Sequence, residues 1–453
     1  MNRVLHALLL ALVVLAPLPL GSNREWSWTL CTLFAAGLAV GWGGAALMRP
    51  ATVIRGLPAW IPVLFLAVCA WALVQTASWV PAEWRHPVWR LAADSLGEPL
   101  AGRISLAEDD TVTALLRLAA YALVFWLAFQ LGADRARAAR TLQWIAVAGF
   151  VYACYGLVVY WGEFGLLLWF QDDAFRHDVR GTFVNRNSFA TYVGLAILCL
   201  LTGLYRKLAL RRNPVYATPR SRSFRVEQFV LRAWMPMSAL LLMVAALVLT
   251  HSRGGFASAV LGTLALLLAV HHRQRIASRR AKAAIGGALA VTVLAFVLTS
   301  EVLLQRIDRL TMDSQGRADA YQLASVAISD NPVLGFGYGT FSDSFRLYRD
   351  DRLNKHFHRA HNTYLENAFE LGWPAAAALL LCLAGLAALC WRGLRGRGRD
   401  WIYPATGLAA SVLVGFHALF DFSLQMPAIA MTYACIMGVA CAQSMPRGTH
   451  RRW

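Results

Sequence analysis

Apolar runs of about 20 residues recur from Leu5 almost to the end of the chain, and no other feature of the sequence narrows the fold as much. A stretch of that length crosses a bilayer as a helix, because in hydrocarbon every backbone N–H and C=O has to be satisfied within the segment. Twelve such stretches can be delimited, the first over 4–20, the ninth over 283–300 and the last over 427–443. A chain that is 58% hydrophobic and only 15% charged is neither an ordinary soluble domain nor a disordered one. The expected fold is all-α: a polytopic membrane protein of about 12 transmembrane helices with a long periplasmic loop containing short helices.

A net charge of +18 would ordinarily suggest nucleic acid, and its distribution removes that reading. With the N-terminus placed in the cytoplasm, the inner segments hold 26 of the 43 Lys and Arg residues but only 3 of the 25 Asp and Glu residues. This is the positive-inside asymmetry, so the basicity signals topology. Both termini are expected in the cytoplasm of a multi-pass protein. The first span follows Arg3 as a secretory signal would, but no small-x-small site follows Ala16 to Ser22, and it is read as a retained helix. All eight cysteines fall inside expected spans, which excludes disulfides and metal knuckles in the loops. Three regions result: residues 1–300 with spans one to nine and a basic cytoplasmic loop at 206–234, an external loop at 301–372, and residues 373–453 with the last three spans and a short tail.

The external side carries the chemistry-bearing residues. Residues 317–329 place Ala320, Leu323, Ala324, Ala327 and Ile328 on one helical face, ended by Asn331-Pro332. Gly335, Gly337 and Gly339 follow, and without a preceding strand they read as a tight turn rather than a nucleotide loop. The basic segment ending at Arg359 is either a solvated face or a cationic mouth. In His361-Asn-Thr-Tyr-Leu-Glu366, helical spacing puts His361, Leu365 and Phe369 on one face, and the imidazole is a candidate general base. Arg253 and two glycines sit in the very short turn between spans seven and eight, where an arginine before a helix N-terminus can cradle phosphate. Arg180 and Asn185 could bond sugar or phosphate, with Asn187 and Ser188 as caps of the sixth span. His417 and Asp421, four residues apart, are either a structural pair or part of the site.

Arginines and histidines gathered at one face, with no acidic pair spaced for a metal, fit transfer from a lipid-anchored diphosphate. Guanidinium groups would hold the leaving diphosphate and a histidine would deprotonate the acceptor hydroxyl. No cofactor or metal is called for.

Five motifs resemble those of the O-antigen ligase and polymerase superfamily of bacterial envelope lipid-linked glycan transferases. They are Gly-Thr-Phe-Val-Asn-Arg-Asn at 181–187, Ser-Arg-Gly-Gly at 252–255, the Asn-Pro-Val-Leu-Gly-Phe-Gly stretch from 331, His-Asn-Thr-Tyr-Leu-Glu at 361–366, and His417 with Asp-Phe-Ser-Leu-Gln-Met-Pro at 421–427. The resemblance implies an inner-membrane glycosyltransferase acting on a glycan carried by undecaprenyl diphosphate, with its site at the periplasmic face. The acceptor would be lipid A core, another glycan or a protein hydroxyl. The family's catalytic histidine falls on His361, and its diphosphate-binding arginines fall on Arg253 and on Arg317, the latter exchangeable with Arg306, Arg309 or Arg346. Ser252, Asn185, Asn362, Glu366, His417 and Asp421 are candidate supporting groups. A reading from another class is a transporter of bicarbonate or lipid-linked saccharide.

Overall fold

A computed structural model describes residues 2–48, 56–171, 176–209, 222–274, 307–353, 357–398 and 400–445. The expected ninth span at 283–300, and Arg306, lie outside these residues. The other eleven expected spans coincide with helices: α1 (Asn2–Leu15), α2 (Glu25–Leu47), α3 (Trp60–Thr76), α5 (Glu108–Leu131), α6 (Arg135–Trp161), α7 (Arg186–Ala209), α8 (Arg222–Leu249), α9 (Arg253–Gln274), α12 (Thr363–Gly396), α13 (Ile402–His417) and α14 (Pro427–Ser444). Three shorter or external helices complete the set: α4 (Val88–Leu96), α10 (Ile307–Asp330) and α11 (Phe341–Ser344). Among the described residues, seven helices are long and apolar enough to cross a membrane. A two-residue hairpin at 166–171 is the sole strand pairing among the described residues. The protein is an all-α polytopic membrane protein.

Nearly every residue of α14 is buried, so it forms the centre of the bundle, packed on α5 and α13. Its sequence explains why. Lipid tails are as apolar as leucine, so helices associate in a bilayer where small residues let backbones approach, and α14 is rich in Ala, Gly, Cys and Ser. A Cβ at Gly438 would lie 2.5 Å from the carbonyl oxygen of Phe125 on α5. The same device joins α6 to α7, where a Cβ at Gly149 would lie 2.2 Å from that of Ala196.

Polar contacts sort to the two ends of the bundle. One end has the Arg135–Asp400 ion pair at 2.8 Å, Gln443 donating to the carbonyl of Gly132, Gln274 bonded to Tyr205, and His6 bonded to Thr141. These residues all belong to, or border, segments expected in the cytoplasm. The opposite end gathers the segments expected outside. Gln75, fully buried at the end of α3, donates to the carbonyls of Leu334 and Glu370 and accepts from the N–H of Tyr338. One side chain thus fastens a membrane helix to the external loop.

The glycines at 335–339 all have positive φ and make the tight turn the sequence suggests. They serve packing: a Cβ at Gly335 would lie 2.3 Å from the carbonyl oxygen of Glu370. Opposite it, Gly372 (φ 73°, ψ 160°) breaks α12 into a short first segment and the longer one that coincides with the expected tenth span. The apolar face of α10 covers this region, with Ala320, Leu323, Ala324, Ala327 and Ile328 buried against Phe336, Phe341, Phe345 and Phe369.

Candidate active site

Asn362 stops a helix from starting any earlier. Its side-chain oxygen accepts the N–H groups of Tyr364 and Leu365, so it is the N-cap of α12. His361 therefore does not share a helical face with Leu365 and Phe369, as periodicity alone suggested. It precedes the cap with φ +52°, in the left-handed region that a residue with a side chain rarely adopts. Neighbours hold it there. Tyr321 of α10 donates to the carbonyl of His361 at 2.8 Å, Thr363 N–H donates to Ala418, and the Thr363 hydroxyl donates to the carbonyl of Asp421. Glu366, fully buried one turn into α12, accepts from the N–H of Ala360 and from Arg359 at 3.2 Å. Asn362 and Glu366 thus shape the backbone around the imidazole.

The ring itself meets Asp421. His361 Nδ1 lies 3.1 Å from Asp421 Oδ1, and its edge packs on Phe422. Sequence spacing paired Asp421 with His417; the backbone keeps that spacing, Asp421 N–H donating to the carbonyl of His417, but the side-chain hydrogen bond of the carboxylate goes to His361. Burial pushes the Asp421 carboxyl up. The bond from His361, the nearby His417 and the Phe422 N–H outweigh that, so the group is held below the usual carboxylate range. A carboxylate only accepts, so Nδ1 carries the proton and the neutral ring's lone pair stands on Nε2. That is the tautomer a general base at Nε2 requires. Asp421→Asn removes this control, because the amide can donate as well as accept. A reaction that uses this base is expected to slow at least about 10²-fold in Asp421→Asn with unchanged amounts of folded protein, checked by initial rates beside detergent-solubilised yield.

The arginines approach from two elements. Ser252 caps α9, its hydroxyl accepting from Gly255 N–H, which leaves the first N–H groups of the helix pointing out of its end. Arg253 stands at that end, exposed and without a hydrogen bond or ion pair among the described residues. Gly254 packs on the same turn as the dyad: a Cβ there would lie 3.8 Å from that of Phe420 and 3.9 Å from the His417 ring. Arg317 of α10 reaches the carbonyl of Phe420 at 3.5 Å. Arg253, Arg317, His361, His417 and Asp421 therefore surround the turn after α13. Two buried atoms of this group, His417 Nδ1 and Asp421 Oδ2, have no partner among the described residues.

Arg180 belongs to a different cluster. It bonds the carbonyl of Val184 and the carboxylate of Asp178, which also binds Arg186 at 2.8 Å and His251 at 3.0 Å. Asn185 accepts from Asn187 N–H and so caps α7, the position expected for Asn187 and Ser188. Arg346 pairs with Asp343 on the exposed side of the loop. Among the described residues no three His, Cys, Asp or Glu side chains converge as metal ligands.

Residues 238–380 match a family model described as O-antigen ligase. The match supports the O-antigen ligase and polymerase superfamily. Comparison with curated proteins gives no match. The matched stretch takes in Arg253, Arg317 and His361 and stops before His417 and Asp421. It supports a glycosyltransferase-like activity.

Asp178 was not singled out by sequence, and Arg186 and Arg359 entered only as parts of longer stretches; no periodicity could have brought residue 178 to residue 251. Asp178 ties its loop to the turn bearing Arg253, since His251 bonds its carboxylate and Val179 N–H bonds the carbonyl of Leu249. Burial raises the Asp178 carboxyl, but His251, Arg186 and Arg180 more than offset it and bring it down to about 2. A depressed folded-state pKa stabilises above the unfolded value of about 3.8 and is lost as pH falls through the folded one. Asp178→Asn should therefore cost about 2 kcal/mol near neutral pH, with the gap to the parent protein closing from pH ~4 toward ~2 in thermal melts.

Proposed function

We propose that this protein moves a glycan from an undecaprenyl diphosphate carrier to an acceptor hydroxyl at the periplasmic face of the bacterial inner membrane, as an O-antigen ligase acting on lipid A core. The observation that carries the reading is the meeting of the His361–Asp421 pair with Arg253 and Arg317 around one turn. In this reading His361 Nε2 removes the acceptor proton as the acceptor oxygen bonds the anomeric carbon. The bond from that carbon to the diphosphate breaks, and its electron pair leaves with the diphosphate. Arg253 and Arg317 stabilise the charge that develops there. No group on the protein is glycosylated, so a single displacement inverts the anomeric centre. His417 Nδ1 and Asp421 Oδ2 are free to bond sugar hydroxyls beside the reacting carbon.

In this reading Arg253 and Arg317 supply the charge stabilisation that a divalent ion would otherwise give. Polymerase and protein transferase activities use the same chemistry with another acceptor. The test is purified protein in detergent, supplied with lipid-linked glycan and with lipid A core, a second lipid-linked glycan or a protein, scored by product mass. Glycan-bearing lipid A core is the expected product. A larger lipid-linked glycan or glycosylated protein would reassign the acceptor. No product with any acceptor, together with saccharide counterflow in proteoliposomes, would replace transfer by transport.

A further inference from the structure

Within electrostatic reach of Arg359, two residues before His361, three buried donors stand together without acceptors among the described residues. Arg117 of α5 lies over the face of Trp28 of α2, 4.6 Å from the ring centroid. Tyr121 is one helical turn below Arg117 on the same face. Arg117 Nε, Trp28 Nε1 and the Tyr121 hydroxyl are all buried, and none has a hydrogen-bond partner among the described residues. Buried polar groups in native proteins are nearly always paired, and an arginine at the edge of a membrane span is costly unless it serves a ligand. Nε1 of tryptophan and Nε of arginine can only donate, so what completes this site brings acceptors.

Arg117 is the cation at this site, and no carboxylate among the described residues bonds it. Arg359 is within electrostatic reach of Arg117, and its own carboxylate partner is Glu366. Glu25 and Asp110 also act on Arg117 through space, but neither bonds it. Glu370, deep beside Glu366, is pushed up to about 8 by burial and then by the Glu366 charge, so at neutral pH it contributes little negative charge. The neighbouring Trp26, Leu30, Val112 and Leu116 are exposed apolar side chains, which places the three donors at the edge of a lipid-facing wall.

We infer that Trp28, Arg117 and Tyr121 form a subsite for a phosphate group on the membrane-anchored acceptor, built from residues other than the arginines assigned to the donor diphosphate. This assignment rests on the transfer reading above for the word acceptor, but its test needs no transfer. Full-length protein in nanodiscs, with no donor present, is titrated with a phosphorylated lipid A core glycolipid and with the same glycolipid after phosphatase treatment. The parent protein should bind the phosphorylated form about tenfold to a hundredfold more tightly, the range of one charge-assisted hydrogen-bonded contact. Arg117→Gln should erase that preference, Arg117→Lys should restore part of it, and Tyr121→Phe should reduce it several-fold while keeping the ring in place. Equal binding of both glycolipids by the parent protein overturns the inference, as does a loss in Arg117→Gln that is equal for both. Displacement of the phosphorylated glycolipid by phosphatidylglycerol at equal concentration also overturns it, since the site would then hold ordinary headgroups. Each of these failures leaves transfer by His361 standing, whereas loss of transfer with the preference intact would count against the reaction and not the subsite.

Discussion

His361→Ala is expected to lower the rate of glycan transfer by about 10²- to 10⁴-fold, the usual contribution of a positioned general base. The protein should still fold and insert. His361 makes one side-chain hydrogen bond, to Asp421, and its ring is partly exposed, so truncation removes about 1 kcal/mol of bonding and leaves no large cavity. Asp421 loses a partner, but the N–H of Phe422 still bonds its Oδ1. The loss should fall on turnover, with lipid-linked donor accumulating at unchanged binding. Single-turnover rates beside equilibrium donor binding make the separation.

The second large effect is at Arg253. Arg253→Gln is expected to slow transfer by about 10²- to 10³-fold, corresponding to roughly 3 to 4 kcal/mol of lost charge stabilisation at the departing diphosphate. Arg253 is exposed and unbonded to the rest of the described protein, so its removal should leave thermal stability within about 0.5 kcal/mol of the parent. That combination separates a substrate-binding arginine from one that merely holds the fold. Arg253→Lys should recover little, because a point charge does not reproduce the planar two-pronged contact a guanidinium makes with phosphate oxygens. Arg317 shares the same turn through Phe420, so the double variant should lose less than the product of the two single losses.

The membrane architecture was legible in the sequence because the bilayer allows one local solution, a helix about as long as the hydrocarbon is thick, and hydropathy reports it directly. Arg253 was legible for a related reason: a turn of a few residues between two spans leaves its charge nowhere to go but the membrane boundary. The environment of His361 was not. Helical spacing runs smoothly from His361 through Leu365 to Phe369, yet Asn362 accepts two N–H groups and puts the histidine outside the helix. Likewise, spacing of four joined His417 to Asp421, but the carboxylate turned to a residue 60 positions away. The Asp178 cluster and the Trp28–Arg117–Tyr121 group depend wholly on which helices pack together, and no local pattern encodes that.

In the proposed reaction two guanidinium groups and one oriented imidazole release a carrier diphosphate without a divalent ion. The most direct test is to reconstitute the protein with lipid-linked glycan and lipid A core in excess EDTA, and to count undecaprenyl diphosphate freed against glycan attached. The account predicts one carrier diphosphate per glycan attached, an inverted anomeric linkage, and a rate that EDTA leaves unchanged. Transfer that stops in EDTA and returns with a divalent ion, or saccharide that crosses the bilayer still joined to its carrier, would contradict it.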